Sequence, residues 1–418
     1  MQLSPEELDY LRRRVETAYG KKVENTADCR LLSDKMLSKL NVSLSYQTFR
    51  RVFGLIKSSG SFEESVLNSL SRFAGSSDIA ALLAEHKQDI DASHKAMVMM
   101  YENIFKVDDA HSQKYWLLND NLIKQAIKDT ELMEKLVPVI MKYPAGRVHF
   151  LECHPLRDHI NTDYRKFFIE YQKYKYNNEA QLFTHGYMGM GDYLSENFVG
   201  FKKHYEVIAA TELTPAVHHV PAARKFGIPF LYALHTKDEG LFQATLADME
   251  KVRPNYFPSA EWAICSFDYI LLGHLILTDK YELFAHILHT SKRQVRDDVT
   301  PEKRQIYHRE VWKLYDAFAE YHTGNISRAK EVLESFKLDK IDFGHEMYYE
   351  LHFLSLYKNF VTEKDELKKI NSRMKKLIAK TNFSYFNRFL NASILRNHTN
   401  NVVANRTKYA TTHASTNE

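Results

Sequence analysis

From about residue 96 to about residue 379, apolar side chains return every three or four positions, and the polar breaks between runs are short. That spacing marks one face of an α-helix. A chain written in this period must bury its stripes helix against helix. The runs cover 96–106, 114–127, 130–142, 162–174, 177–190, 194–210, 220–235, 240–252, 258–277, 280–296, 302–323, 326–337, 343–360 and 364–379. The segment GRVHFLECHPL is as compatible with an extended strand as with a helix. The ten prolines mostly fall between runs, as chain breakers should. The expectation is an all-α protein built from helical hairpins.

A weak internal repeat supports the hairpins. Ala233, Gly240 and Thr245 share their spacing with Gly273, Lys280 and Ala285, and again with Ala317, Gly324 and Ala329. In a helical hairpin the first and third positions lie where the helices approach most closely and tolerate only modest side chains; the middle one lies in the turn. The segment LYDAFAEYHTGNISRAKEVL, with Gly324 and Ala329, resembles a tetratricopeptide repeat, and YMGMGDYLSENF, with Gly191-Asp192-Tyr193, resembles one less closely. The middle positions stand 40 and 44 residues apart, against a period of about 34 in that family. The resemblance therefore implies a tetratricopeptide-like α-solenoid over residues 91–395 rather than a regular array. Such a superhelix has a concave face that takes peptides or protein segments. Tyr187, Tyr232, Tyr269 and Tyr315 are its candidate partner contacts, with Phe267 and Tyr348; tyrosines at helical spacing serve equally well as core.

The N-terminal 90 residues have a different character. Ser4, Pro5 and Glu7 open a helix with a capping box. Leu32, Met36, Leu37 and Leu40 form a second stripe, and Ser45 stands where it caps a short helix with Phe49, Val52, Phe53 and Ile56 on one face. The opposite face carries Tyr46, Gln47, Arg50 and Arg51. Two arginines, an amide and a phenol on the free face of a supported helix suit the major groove of duplex DNA. Ser61 and Glu64 have capping-box spacing before Val66, Leu67, Leu70 and Phe73, and Gly75 lies where that helix should stop. LSYQTFRRVFGL followed by VLNSLSRFAG resembles the helix-turn-helix module of phage-repressor-type bacterial regulators. Asn41-Val42 replaces the small turn residue usual in that family. The resemblance implies that residues 1–90 dock on DNA, with Gln47 and Arg50 placed to read bases and Tyr46 and Arg51 to touch phosphates. Arg12, Arg13 and Arg14 point around their helix and suit either phosphates or water.

Charge agrees with this division. Residues 10–60 hold eleven Lys or Arg against four Asp or Glu, a local +7, whereas the remainder carries −3 of the total +4. A basic excess on an otherwise neutral body is the footprint expected of a polyanion partner. Cys29, Cys153 and Cys265 are too few and too scattered for a disulfide framework, which points to a reducing, cytoplasmic setting. The acidic, polar start MQLSPEELDY is no signal peptide, and no apolar run has the length of a membrane span. Past residue 396 the chain is dense in Asn and Thr, so 396–418 is expected to be a disordered tail.

No catalytic or cofactor signature emerges. Phosphate-binding glycine loops, G-x-S-x-G and H-E-x-x-H are all missing from the sequence. His149, Cys153, His154 and His159 come closest to a metal site, but Pro155 interrupts them and no second ligand pair has zinc spacing. Neither a metal nor a cofactor is expected. The expected function is that of a DNA-binding transcriptional regulator. Its helical body binds a peptide or protein and mediates homodimerisation, because one head with few phosphate contacts binds weakly. The competing expectation is a non-catalytic interaction scaffold that never meets DNA.

Overall fold

Residues 1–57, 61–105, 121–153, 155–256, 265–292 and 302–390 are described in a computed structural model. Every regular element among them is helical, and the sole extended pairing there is a single antiparallel bridge between Gln2 and Ser61. The tail expected at 396–418, His154 and the first part of the 114–127 run lie outside the described residues. The chain divides into two units, Met1–Tyr101 and Glu102–Glu418. The polar stretch 84–95, between the N-terminal segment and the helical body, lies inside a long helix and not in a linker.

In the N-terminal unit α1 (Pro5–Tyr19), α2 (Thr26–Leu40), α3 (Tyr46–Val52), α4 (Glu64–Phe73) and the start of α5 (Ile79–Phe105) enclose one core. Leu11, Val15, Leu32, Met36, Phe49, Val52, Leu67, Leu70 and Phe73 have no exposed surface. Each such side chain contributes roughly 1.5–3 kcal/mol by leaving water. The capping box of Ser4 and Glu7 forms as expected, and Ser45 accepts the backbone N–H of Thr48 at the start of α3. Asn41 ends α2 at φ 54°, in the left-handed region. Its short polar side chain tolerates that conformation, so the turn into α3 closes without a glycine.

Two local expectations fail here. Ser61 does not cap α4, because its backbone is engaged with Gln2, and Glu63 takes the cap position without a side-chain bond. Leu37 is 47% exposed, since the buried edge of α2 runs through Cys29, Leu32 and Met36.

In the body, α6 (Thr130–Lys142) leads through α7 (Pro144–Arg147) into a π-helical turn, Val148–Glu152. The segment open to a strand reading is thus helical through Glu152, and Pro155 lies outside any helix. After α8 (Arg165–Tyr171) come four helical hairpins: α9 (Asn178–Leu194) with α10 (Phe198–Ala210), α11 (His219–Thr236) with α12 (Glu239–Val252), α13 (Phe267–Leu275) with α14 (Tyr281–Thr290), and α15 (Glu302–His322) with α16 (Ile326–Glu334). Helix α9 packs on α11 and α11 on α13. Helices α17 (Glu346–Tyr357) and α18 (Lys364–Thr381) follow.

The three-position repeat falls on the last three hairpins. Ala233, Thr245, Gly273, Ala285, Ala317 and Ala329 are buried, while Gly240 and Gly324 are exposed and Lys280 half-buried at the turns. Small side chains let each helix pair approach closely. Pro138 and Pro229 lie inside α6 and α11 rather than between helices. Their neighbours Val137, Ile140, Ile228 and Phe230 are buried, and that packing holds the helices through the missing N–H.

Candidate nucleic-acid interface and ligand cavity

Helix α3 is fixed by Phe49 and Val52, both fully buried, and by Arg12, whose guanidinium donates to the carbonyl of Val52. Its other face carries Tyr46, Gln47 and Arg50, each half-buried, and the exposed Arg51. There the Gln47 amide donates to the Tyr46 hydroxyl at 3.1 Å, and Arg50 donates to the Gln47 carbonyl oxygen at 3.1 Å. The Arg30 guanidinium from α2 lies 5.1 Å from the centre of the Tyr46 ring. Arg30 and Arg51 are exposed, and Arg50 is half-buried. None of the three has a carboxylate within ion-pair distance among the described residues. By contrast, Arg13 pairs with Asp9 at 3.2 Å, Arg14 with Glu85 at 3.0 Å and Lys21 with Asp28 at 2.6 Å. The unpaired cations of this unit therefore include the whole basic set that α2 and α3 present together. Of the arginine run in α1, Arg12 is a helix anchor and the other two are neutralised.

The body contains a cavity of about 260 Å³. It is walled by the first half of α9, the first turns of α11, the π-helical turn and the start of α13. At one side Glu152 and Glu179 are bridged by Lys175, at 2.9 Å to each. Tyr171 donates to Glu152 at 2.7 Å and the His218 backbone N–H to Glu179 at 3.0 Å. Burial alone raises a carboxyl pKa, but Lys175 and that N–H outweigh it and hold Glu179 below its ordinary value. These acids are satisfied.

Arg224 forms another wall and is not satisfied in the same way. It is 3% exposed, its guanidinium lies 4.1 Å from the centre of the Tyr187 ring, and its firmest backbone acceptor is Val220 at 3.4 Å. No carboxylate reaches it among the described residues. Its stem lies flat on α9 because position 186 is glycine; a Cβ there would run into the stem. Arg157, 6% exposed, is a second buried cation of this kind: it donates to the Tyr349 hydroxyl at 3.0 Å and lies 4.5 Å from the Tyr348 ring centre, with its Nε unpartnered. Arg253 shows the contrast, gripping Asp268 with two bonds of 2.8 and 2.9 Å. Burying an ion without its counter-charge costs several kcal/mol even after relaxation. Cys153 and Cys265 also line the cavity, and burial pushes their thiols up to about 12 and about 11. They are protonated at neutral pH and add no charge; Lys175 stands between Glu152 and Glu179, and Arg224 makes no ion pair with either acid among the described residues.

The four tyrosines expected at a partner face separate. Tyr187 lines the cavity, 5% exposed. Tyr232 is half-buried and stacks on Tyr205 at 3.8 Å. Tyr269 and Tyr315 are 3% and 1% exposed, with Tyr269 edge-on to Trp312 and Tyr315 edge-on to Phe284. These two are core side chains and offer a partner no surface, because the hairpin stripes that carry them turn inward. His149 is buried in the π-helical turn, and His159 lies 6.1 Å from Phe343, its pKa taken down to about 4 by burial. With Cys153 on the cavity wall, the described members of this set do not converge on a common point.

No family model, curated protein or solved structure matches this chain. The charged residues of the cavity, Arg224, Glu152 and Glu179, with Lys175 between the two acids, had no motif. One signal was present: in VPAARKFGIPFL, position 224 shares a helical face with Val220, Pro221, Gly227 and Ile228. A lone arginine on an apolar face next to small residues is a buried cation in waiting.

Proposed function

We propose that the chain is a DNA-binding regulator. On this reading the N-terminal unit is a helix-turn-helix head whose α3 enters the major groove, and the body is a tetratricopeptide-like solenoid that receives a ligand and pairs two heads. The single observation behind it is the set of unpaired cations on α2 and α3: Arg30, Arg50 and Arg51 keep no acidic partner among the described residues, while Arg13 and Arg14 in α1 do. An unneutralised basic face on a rigidly packed short helix is suited to a polyanion. The bonds from Gln47 to Tyr46 and from Arg50 to Gln47 hold the amide and guanidinium planes ready, so little side-chain entropy is lost on docking.

The test is fluorescence anisotropy of the full chain with duplex DNA across a salt series. Binding should weaken steeply with salt, and Arg50→Ala/Arg51→Ala should lower the slope of log K against log salt by about one, for the phosphate deprived of Arg51, while the loss of Arg50 relaxes base preference. A chain that fails to bind duplex DNA at about 50 mM salt is no such regulator, and an interaction scaffold is what remains.

A further inference from the structure

We propose that the cavity beneath Arg224 is a binding site for an organic carboxylate with an apolar or aromatic body, the carboxylate seated on the Arg224 guanidinium. This rests on the reading of the body as a ligand-receiving module and names its ligand class; it does not depend on DNA docking.

Four observations carry it. First, Arg224 is a buried cation on the wall of an open cavity with no carboxylate in reach among the described residues. Its contacts, the Tyr187 face at 4.1 Å and the Val220 carbonyl at 3.4 Å, leave most of its five donors for a ligand. Second, Glu152 and Glu179 on the same cavity are engaged by Lys175, Tyr171 and the His218 N–H, and neither forms an ion pair with Arg224. Third, the arginine is positioned by construction: Gly186 makes room for its stem, and Tyr187, one residue on, supports its plane. A guanidinium held flat in this way is pre-organised for the two-pronged geometry of a carboxylate. Fourth, about 260 Å³ bounded by Phe183, Tyr187, Val220 and Ile270 accommodates a ring or branched chain beside the charged group and little more. Wall and charge together select a small apolar acid over a sugar phosphate or a polyanion.

Such an acid has two sources, a free small molecule or the terminal carboxylate of a chain ending in an apolar residue. Isothermal titration calorimetry of the full chain distinguishes them with three pairs of probes: 3-phenylpropionate against 3-phenylpropanamide, and two short peptides ending in Phe or Leu, each with a free and an amidated terminus. The acid of at least one pair should bind at least ten times more tightly than its neutral amide. Matching affinities for free acid and peptide acid identify a small-molecule site, and tighter binding by the peptide acid identifies a chain terminus. Arg224→Met should abolish the preference for acid over amide, and Arg224→Lys, a point charge without the fork, should retain part of it. Equal binding of acid and amide in every pair, or no heat from any acid at millimolar concentration, overturns the proposal; both comparisons use the unaltered protein and stand whether or not the variants fold. Loss of DNA binding in the anisotropy assay with acid preference intact removes the regulator reading alone.

Discussion

The two units handle the same side chain in opposite ways. In the N-terminal unit all seven arginines reach solvent at least in part, whereas the body buries Arg157, Arg224, Arg253 and Arg304. A surface guanidinium sheds little free energy by pairing, so leaving the exposed Arg30 and Arg51 without acids is inexpensive, while the half-buried Arg50 keeps its Nε buried and unpartnered. A buried one must be matched or it destabilises the fold, and Arg253 is matched by Asp268 while Arg224 is not. The proposed functions use this difference: spare charge outside as the docking face, and spare charge inside as the seat for a small anion.

The comparison breaks most readily in acid. His219, His274 and His352 are 2% exposed and His308 4%, and burial drives the pKa of each down to about 3. Their folded values lie below the unfolded value, so the unfolded chain takes up protons first; the stability they contribute is complete above about pH 6.5 and is lost as pH falls. Each gives up on the order of 1 kcal/mol per pH unit below that point. Asp158, pushed up to about 7 by burial, works in the other direction but is one group against four. The Tm of the body should drop sharply between pH 7.5 and 5.5, and a flat profile would show that burial does not hold these four histidines neutral.

The next effect sharpens the contrast between matched and unmatched cations. Arg253→Met strands Asp268 and should destabilise the body by about 3–5 kcal/mol in urea unfolding, whereas Arg224→Met, which strands nothing, should be neutral or stabilising. Equal losses in the two variants contradict an unmatched Arg224. Gly186→Ala forces a Cβ into the Arg224 stem and should cost about 1–3 kcal/mol by overpacking; combining it with Arg224→Ala should return much of that loss, and additive losses would show that the stem is not the obstacle. In the N-terminal unit Ser45→Ala removes the cap of α3 and should cost about 1 kcal/mol, seen as a lower denaturation midpoint. Smallest of all, Arg50→Ala/Arg51→Ala should change stability by no more than about 0.5 kcal/mol for each residue. A larger loss would place those side chains among the structural anchors, with Arg12, instead of on a docking face.

Much of this architecture was legible in the linear chain. Thr130–Lys142 coincides with its expected helix, and Glu239–Val252 and Glu302–His322 start and end within one residue of theirs. The 3.6-residue stripe is a local property of neighbours on one helix, so residue order suffices to reveal it. The repeat of small residues was legible for a related reason: close approach within a hairpin involves positions only about a dozen residues apart. The π-helical turn at Val148–Glu152 was not, because Pro155 spoke against a continuous helix and packing on Phe167 and other distant side chains decided the matter. Among the candidate site residues, the grouping of Tyr46, Gln47, Arg50 and Arg51 on one face followed from spacing alone. Whether a tyrosine lines a cavity, as Tyr187 does, or fills the core, as Tyr269 and Tyr315 do, depends on which helices meet it.

By itself the order of residues determined an all-helical chain, its hairpins and the concentration of positive charge near the N-terminus, since periodicity, caps and local charge need no partner from elsewhere in the fold. Only the tertiary structure decided which cations have acids beside them. Arg224 lies 38 positions from Gly186 and 37 from Tyr187 along the chain yet rests on both in space. Charge balance is set by such distances in space, and a sequence records only distances along itself.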